Sequence, residues 1–460
     1  MRRYETMFVG RIEELRKLTQ QLNRKNKAAI LIYGKRRVGK STLIAEAAKS
    51  FDGKVISYMC AQSTLEGNLT LMSRSISIVL GIPEIRFQNL KDIFDYLGSQ
   101  SESFLFVIDE YQYLKQAGKK NEIDSYMQII IDMLPSNVKL IICGSYITIM
   151  KELMEEDNPL FGRFTEIIHM EGFDYYDASL LYPNVEMRRK FENYAIFGGS
   201  PYVLSTIDSE ISLKENIIKL LLPETSVLRT YIENVILKEI QKAYDIRIFQ
   251  LIGNGSKKYS DLISGLASGN NGLLDKQLKN LINMEAIEKM APINKPNDKK
   301  KQFYIISDNL MRFYFTYIFG NDTVIKMLGE EVYYETYIQK NIDEFVQRRF
   351  EGIVVQYFKR KVRSREIKGV LNIGSYWYDN SKEKRNGQFD VVLQRANEHI
   401  IYECKFFNRQ MTMQECEAEE QQVKNIGELG NVRLGFVNLS GFEFDNNRFD
   451  LIDGGRLLLP

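Results

Sequence analysis

The sequence predicts an α/β protein of about three domains, and three observations support this prediction. Its 460 residues exceed what one hydrophobic core ordinarily organises, because single cores rarely grow beyond about 250–300 residues. Short apolar runs at residues 28–33, 54–60, 104–108 and 138–143 alternate with helical patterns, which is typical of a parallel sheet covered by helices. The pattern changes again downstream, so we divide the chain into residues 1–238, 239–319 and 320–460.

The composition excludes several classes of protein. Lys and Arg number 62 against 60 Asp and Glu, so any contact with nucleic acid must come from local basic patches. The scattered Cys60, Cys143, Cys404 and Cys416 lack zinc-ligand or disulfide-scaffold spacing, and only two histidines disfavour a histidine metal site or a serine–histidine triad. Neither a signal-peptide core nor an apolar run of membrane-spanning length occurs. We therefore expect a cytoplasmic protein that does not contact a membrane.

The octapeptide at residues 34–41 follows the first apolar run and opens a helical pattern. Its sequence, GKRRVGKS, is a P-loop signature. A strand, a glycine-containing loop and a helix start direct backbone N–H groups at a phosphate, while the lysine reaches the β- and γ-phosphates and the serine binds magnesium. We expect ATP and Mg²⁺ as ligands, with contacts from Gly34, Arg37, Val38, Gly39, Lys40, Ser41 and Thr42.

The third apolar run ends on two acids, in the sequence FLFVIDE, which is a Walker B pattern. We expect Asp109 to hold magnesium and Glu110 to polarise the water that attacks the γ-phosphate, as a carboxylate near the metal does. The next apolar run ends on Ser145, where AAA-type ATPases carry a polar sensor. Arg163 is a candidate arginine finger for this subunit or a neighbouring one, and a surface ion pair is an equally open interpretation. These residues predict an enzyme, a P-loop ATPase.

Two further segments resemble elements of the archaeal-type ATPases, a branch related to the signalling STAND NTPases. Residues 8–15, FVGRIEEL, resemble the F-x-G-R-x-x-E-L box, and residues 197–204, FGGSPYVL, resemble the G-G-x-P-x-x-L element. The resemblance implies that Gly10 and Arg11 lie near the adenine. It also implies that Pro201 lies by the base and reports the nucleotide state to the next domain. By residue type alone, the second segment predicts only a turn that begins a helix.

The middle of the chain predicts a winged helix-turn-helix domain. Helical patterns at residues 246–252, 259–263 and 273–281 precede two strand-like runs at 287–290 and 302–306. Residues 307–315 resemble the S-D-x-x-x-R-F tail that follows this domain in the same family. Packing between domains is an equally open role, but six lysines could meet phosphates: Lys276, Lys279, Lys295, Lys299, Lys300 and Lys301.

The C-terminal part predicts an α/β restriction-endonuclease-like domain with a second site. Glu351 lies on an apolar helical pattern, Asp390 begins a strand, and Glu403 and Lys405 follow on the next strand, which is the order of a PD-(D/E)XK core. Because strand side chains alternate, the last two share a face. We expect Asp390 and Glu403 to hold magnesium, Lys405 to orient water or offset phosphate charge, and Glu351 to add a ligand or base.

A basic segment beside this site suits a phosphate backbone, although a solvated helix end is the alternative: Lys359, Arg360, Lys361, Arg363, Arg365 and Lys368. Archaeal-type ATPases often end in such a domain, and the resemblance therefore covers nearly the whole chain. Folds of this kind also serve as inactive binding modules, so nuclease activity is left open.

Together these patterns predict a magnesium-dependent ATPase that couples ATP turnover to nucleic-acid binding or cleavage by its C-terminal domain. DNA is favoured over RNA, and a homo-oligomer is compatible with the sequence. The alternative is a STAND-like signalling switch whose C-terminal domain is an inactive interaction module. A small-molecule kinase is disfavoured because Glu110 follows Asp109 and because the extra domains suit macromolecules.

Overall fold

The computed structural model describes residues 8–237, 240, 244–253, 255–266, 271–380, 385–424, 431–445 and 448–460. The chain divides into two compact units, Met1–Gly172 and Phe173–Pro460. The division into three domains stays a prediction, and its first boundary, at residues 238 and 239, lies outside the described residues.

A parallel five-stranded sheet forms the centre of the N-terminal unit, as the alternating pattern predicts. Its strands run in the order β2-β3-β4-β1-β5, and every neighbouring pair is parallel. They are β1 (Ala28–Tyr33), β2 (Lys54–Met59), β3 (Phe104–Asp109), β4 (Val138–Gly144) and β5 (Glu166–His169). The four predicted runs correspond to β1–β4, whereas the short β5 was not predicted.

Helices cover both faces of this sheet, and its continuous apolar strands are the usual consequence. Alternate residues of β1 enter two separate cores, with Leu31 in one and Ile30 in the other. The helices are α1 (Ile12–Leu22), α2 (Lys40–Ala48), α3 (Leu65–Leu80), α4 (Leu90–Gly98), α5 (Tyr111–Gln116), α6 (Glu122–Asp132) and α7 (Ile147–Glu152).

The C-terminal unit begins with a helical region that contains one small sheet. Strands β6 (Ile287–Met290) and β7 (Phe303–Ile306) pair antiparallel, directly after three helices. The helices up to that hairpin are α8 (Tyr175–Ser179), α9 (Met187–Phe197), α10 (Pro201–Leu204), α11 (Leu213–Leu221), α12 (Val227–Tyr231), α13 (Arg247–Gly253), α14 (Tyr259–Leu266) and α15 (Asn271–Asn283). Helices α16 (Asn309–Tyr317), α17 (Asp322–Leu328) and α18 (Glu330–Tyr333) follow it. Short π-helical turns lie at Ile232–Leu237 and Tyr334–Ile338, and a 3₁₀ turn at Lys299–Lys301.

A second five-stranded sheet ends the chain. Its order is β12-β11-β10-β9-β8, from β8 (Val370–Asn380), β9 (Arg385–Arg395), β10 (His399–Lys405), β11 (Val432–Asn438) and β12 (Asp450–Asp453). The first three strands pair antiparallel and the last three parallel. Helix α19 (Ile342–Arg363) and helix α20 (Met413–Lys424) enter different cores: Phe350 of α19 joins Cys404, and Val423 of α20 joins Ile401. The helix α21 (Gly454–Leu457) closes the unit.

The four cysteines are free and buried. Across the described ranges, none of the helices combines the length and the apolar character needed to cross a membrane.

Candidate active site

The predicted P-loop lies where β1 ends and α2 begins, at the carboxyl edge of the first sheet. Gly39 takes a φ of 95° and precedes the first helical residue, Lys40. The Lys40 side chain is buried, and its Nζ donates to the carbonyl oxygens of Gly34 at 2.8 Å and Lys35 at 2.9 Å. Burial lowers the pKa of Lys40, because a desolvated ammonium is less stable. A triphosphate bound at this loop would compensate the positive charge of the Lys40 ammonium.

A hydroxyl and a carboxylate meet at the end of the loop. Ser41 Oγ donates to Asp109 Oδ2 at 3.2 Å, and Asp109 Oδ1 accepts the Glu110 N–H at 2.8 Å. Magnesium prefers oxygen ligands and usually keeps one or two protein ligands beside water and phosphate oxygens. The pair formed by Ser41 and Asp109 therefore fits Mg²⁺.

Glu110 stands beside this pair in a left-handed conformation, with a φ of 52°. Such a backbone costs a non-glycine residue on the order of 1 kcal/mol. Its Oε2 accepts a hydrogen bond from Ser145 Oγ at 2.7 Å and another from Gln112 Nε2. The structure thus brings Ser145 to the acid.

Gln112 holds both of these groups and was missed in the sequence. Its side chain is fully buried; Nε2 also lies 3.2 Å from Ser145 Oγ, and Oε1 accepts the Ser145 N–H at 3.3 Å. The sequence offered one signal for Gln112: it is an amide two residues after the acids, at the start of a helix that is otherwise apolar there.

Arg163 does not lie at this edge of the sheet. Its Nε pairs with Asp132 at 3.2 Å, and its Nη1 donates to the Phe161 carbonyl. The neighbouring Thr165 N–H donates to the carbonyl of Ala29, at the start of β1, whereas the P-loop follows the end of β1. Four strand residues separate these ends by roughly 13 Å. Arg163 therefore forms an ion pair away from its own P-loop, and its role in a neighbouring subunit stays a prediction.

The remaining predicted contacts fall in both units. Gly10 and Arg11 both take a positive φ, and Arg11 Nη2 donates to the carbonyls of Val38 and Glu171, which ties the N-terminal box to the P-loop. Of the other loop residues, Arg37 has a φ of 65°, and both its side chain and that of Thr42 are exposed. Pro201 belongs to the C-terminal unit, where it is the first residue of α10. The contacts of these residues with a nucleotide stay predictions.

The predicted C-terminal residues cluster at the end of β10. Lys405 Nζ donates to Glu403 Oε1 at 2.6 Å, while Cys404 between them is fully buried, so the two share a face as predicted. Asp390 Oδ2 accepts the Cys404 N–H at 3.2 Å. One extra residue in β9, between the pairs Gly374–Val392 and Tyr376–Phe389, places Asp390 in a β-bulge, a feature that redirects side chains.

Two of the carboxyl groups at this site, those of Glu351 and Asp390, have a raised pKa. Burial, followed by the charge of Glu403, raises the pKa of Glu351 to about 7 and that of Asp390 to about 8. Burial opposes the charge of Lys405, but the nearby carboxylates, Glu403 foremost with Glu419 and Asp390, together outweigh burial and raise the pKa of Lys405. In the part of the chain that the structure describes, no three His, Cys, Asp or Glu side chains converge to hold a metal. Asp390 and Glu403 fit Mg²⁺ only as a two-carboxylate site completed by water or phosphate oxygens.

Comparison with known proteins identifies the part of the chain that carries the P-loop. Residues 8–207 match the family model described as an ATPase domain predominantly from Archaea. Residues 8–207 are an archaeal-type ATPase domain. Residues 314–422 match a second model, described as archaeal and bacterial proteins of unknown function.

Individual proteins are similar to this chain over most of its length. The uncharacterized protein MJECL04 of Methanocaldococcus jannaschii is 28% identical over 399 residues, which cover 85% of each chain. The Walker-type ATPase PABY2304 of Pyrococcus abyssi matches with a TM-score of 0.52 and 20% identity, over 67% of this chain and 96% of that chain. At this identity the likeness establishes the α/β fold. The ORC2 protein of Aeropyrum pernix, in ADPNP–ADP complexes, matches with a TM-score of 0.43 and 13% identity, over 70% of this chain and 97% of that chain.

Two residues beyond the archaeal-type ATPase domain were missed in the sequence and lie at the C-terminal site. Gln347, four residues before Glu351 on α19, donates to the Cys404 carbonyl at 2.9 Å and accepts the Phe406 N–H at 2.6 Å. It therefore holds β10 on both sides of Lys405. Glu419 of α20 is half-buried, and burial together with the charge of Glu403 raises its pKa. The four-residue spacing to Glu351, typical of one helix face, was a signal for Gln347.

The predicted basic segment is smaller than its sequence suggests. Arg360 pairs with Asp174 at 2.6 Å and lies over the ring of Tyr176, and Lys361 binds Glu366 and the Pro460 carbonyl. These two side chains serve the packing of the C-terminal unit. The exposed basic residues of this segment are Lys359, Arg363, Arg365 and Lys368.

Proposed function

We propose that the chain is a magnesium-dependent ATPase whose turnover is coupled to the binding or cleavage of nucleic acid, with DNA favoured. The first half of this proposal rests on Glu110, which directly follows Asp109 of the pair formed by Ser41 and Asp109 and whose carboxylate is held by Ser145 at the end of the neighbouring strand. A carboxylate next to a magnesium site can take a proton from the attacking water, which nucleotide binding alone does not require.

The residues of the archaeal-type ATPase domain have separate roles in the proposed reaction. Lys40 and the N–H groups at the start of α2 bind the phosphates, and Ser41 with Asp109 would hold Mg²⁺, which supplies charge neutralisation at the phosphate oxygens. The water oxygen forms a bond to the γ-phosphorus while the bond from phosphorus to the bridging oxygen breaks. ADP leaves with that electron pair, and Glu110 accepts the proton from the water. Ser145 and Gln112 hold Oε2 of Glu110 and so fix the position of the carboxylate that takes this proton.

The three helices α13–α15 and the hairpin β6–β7 support the proposal of a winged helix-turn-helix domain, because this is the element order of that fold. Most of its predicted phosphate contacts are exposed: Lys276, Lys279, Lys295, Lys299 and Lys300. Lys301 is half-buried. Lysines on one module bind the phosphate backbone without reading its sequence.

The cluster at the end of β10 supports the proposal of a nuclease-like site. Asp390 and Glu403 would hold Mg²⁺ between them and a phosphodiester. Lys405, held at 2.6 Å from Glu403, would orient the attacking water or offset charge on the scissile phosphate. Glu351, with its raised pKa, is suited to exchange a proton near neutral pH.

The experiment is a steady-state assay of phosphate release by the full chain, with Mg²⁺ or EDTA, and without nucleic acid, with duplex DNA or with RNA. We expect hydrolysis that requires Mg²⁺ and that DNA stimulates. Neutralising the exposed basic segment, Lys359, Arg363, Arg365 and Lys368, should abolish the stimulation and spare the basal rate. A matched control neutralises four exposed residues of the N-terminal unit: Arg74, Arg86, Lys119 and Lys120. Hydrolysis that DNA and RNA both leave unchanged would contradict the coupling and favour the signalling switch.

Nuclease activity has its own assay. The protein is incubated with Mg²⁺ and labelled single-stranded and duplex DNA or RNA, beside the double variant Asp390→Ala and Lys405→Ala. We expect cleavage by the wild type alone. Equal cleavage by the double variant would contradict the assigned site. Binding without cleavage by the wild type would show that the C-terminal part binds nucleic acid and does not cut it.

A further inference from the structure

We propose that Arg36 is a catalytic arginine supplied by the P-loop itself, whose guanidinium contacts the γ-phosphate as it is transferred to water. This inference rests on the proposed ATP hydrolysis and names a residue that hydrolysis requires. Arg36 would also supply the positive charge at the γ-phosphate that Arg163, at the other end of the sheet, does not supply within the same subunit.

Two tyrosines hold the Arg36 side chain. Its Nη2 donates to the hydroxyl of Tyr113 at 2.8 Å and to that of Tyr146 at 3.3 Å. The guanidinium carbon lies 5.2 Å from the centre of the Tyr146 ring, and the two rings pack edge to face with centroids 5.9 Å apart. Hydroxyl groups are neutral acceptors, so these two bonds orient the guanidinium without neutralising its charge.

The two tyrosines place Arg36 at the hydrolytic end of the nucleotide site. The Tyr113 N–H donates to the Glu110 carbonyl at 3.0 Å, in the helix that follows the acid. Tyr146 directly follows Ser145, whose hydroxyl binds the Glu110 carboxylate. Both anchors of Arg36 are therefore attached to the groups that position the attacking water, and the water lies on the far side of the γ-phosphate from ADP.

A second observation places the guanidinium near the phosphate-binding lysine. Arg36 and Lys40 lie four residues apart on the same loop, close enough for their charges to act on each other. Two cations held close together repel each other unless an anion lies between them. The negatively charged oxygens of a γ-phosphate are such an anion, and Arg36 is half-buried, so part of its side chain is accessible to them.

Arginine suits this position chemically. In the transition state, charge spreads over the three equatorial oxygens of the γ-phosphoryl group while the bond to the incoming water oxygen forms and the bond to the bridging oxygen breaks. The planar guanidinium donates two parallel hydrogen bonds to such oxygens, whereas an ammonium offers one point charge. Arginines in this role raise kcat by about 10³–10⁵ in other nucleotide hydrolases.

The test compares Arg36→Ala and Arg36→Lys with wild type, and uses the exposed Arg74→Ala of α3 as the matched control. Turnover is measured by phosphate release, and binding by fluorescent ADP alone and by fluorescent ADP with aluminium fluoride and Mg²⁺, a mimic of the transferred phosphoryl group. We expect Arg36→Ala to lower kcat by about 100-fold or more. Its affinity for ADP should stay within about threefold of wild type, while the extra affinity conferred by aluminium fluoride is lost. Arg36→Lys should fall in between, and added guanidinium should partly restore turnover to Arg36→Ala only.

Several outcomes would overturn the inference. Turnover by Arg36→Ala within threefold of wild type would do so, and so would a parallel loss of ADP affinity, which would assign Arg36 to the shape of the loop. Should Arg36→Ala fail to fold, the double variant Tyr113→Phe and Tyr146→Phe keeps both rings and removes only the hydroxyls. It should lower kcat several-fold at unchanged ADP affinity, and an unchanged kcat would contradict the inference. A wild type without ATPase activity would overturn the proposed function and this inference with it, whereas an active wild type with an equally active Arg36→Ala would overturn the inference alone.

Discussion

Replacing Asp390 by Asn should stabilise the C-terminal unit progressively as the pH rises from 5 to 8. Burial and the charge of Glu403 raise the pKa of this carboxyl from 3.8 to about 8. In the folded protein Asp390 therefore stays mainly protonated until the pH approaches 8, while in the unfolded chain it releases the proton above about pH 4. The folded state binds more protons than the unfolded state, so the stability of the wild type falls as the pH rises.

The size of the effect follows from the pKa shift. Each pH unit between the unfolded and folded pKa values costs about 1.4 kcal/mol of unfolding free energy, so the three units from pH 5 to pH 8 amount to about 4 kcal/mol. Asparagine has no proton to release, and its amide oxygen can still accept the Cys404 N–H that Asp390 accepts at 3.2 Å. The melting temperature of the variant should therefore gain roughly 10 °C on the wild type across this range.

The fluorescence of Trp377 provides the assay, because it is the one tryptophan of the chain and lies in β8, which pairs with β9. Thermal unfolding is followed at pH 5, 6, 7 and 8 with EDTA present, for wild type, Asp390→Asn and the exposed control Asp445→Asn. We expect the gap between Asp390→Asn and wild type to widen with pH while the control follows wild type. Parallel pH profiles for all three proteins would show that Asp390 is ionised in the folded state and would refute the reasoning.

Three further predictions concern the archaeal-type ATPase domain. Glu110→Gln should keep ATP binding and lower kcat by about 100-fold, because the amide cannot take the proton; nucleotide binding and phosphate release measured together test this, and wild-type turnover would contradict it. Gln112→Ala should lower kcat about tenfold at unchanged KM by freeing Glu110, and a change in KM alone would argue against a positioning role. Gly34→Ala should unfold the loop or abolish ATP binding, since its Cβ would lie 2.0 Å from the Met170 carbonyl oxygen; tight ATP binding by this variant would contradict the packing.

The sequence predicts the first sheet well because its strands are continuous apolar runs. Strand β1 occupies residues 28–33 as expected, and the side chains of Ser41 and Asp109 meet although 68 residues separate them in sequence, since parallel strands end at one edge. The short β5 escaped prediction because its four residues, EIIH, begin and end in polar groups and remain partly exposed.

Contacts between side chains from different strands and loops were harder to predict. An arginine in a loop carries no information on which end of the sheet it reaches. The sequence therefore leaves Arg163 equally open as an arginine finger or a surface ion pair, and it gives no reason to single out Arg36. The bulge that directs Asp390 depends on the register of β8 against β9, which strand periodicity does not reveal. Gln112 and Gln347 act through hydrogen bonds to neighbouring elements, and residue type alone gives no partner.

Magnesium-dependent phosphate release by the full chain, compared between wild type and Lys40→Ala, tests the central claim most directly. Lys40 Nζ donates hydrogen bonds to the P-loop carbonyls of Gly34 and Lys35. From this position it can bind the β- and γ-phosphates. The account predicts turnover by the wild type and a loss of about 100-fold or more in the variant. Equal rates for the two proteins would contradict the assignment of ATP hydrolysis to this site.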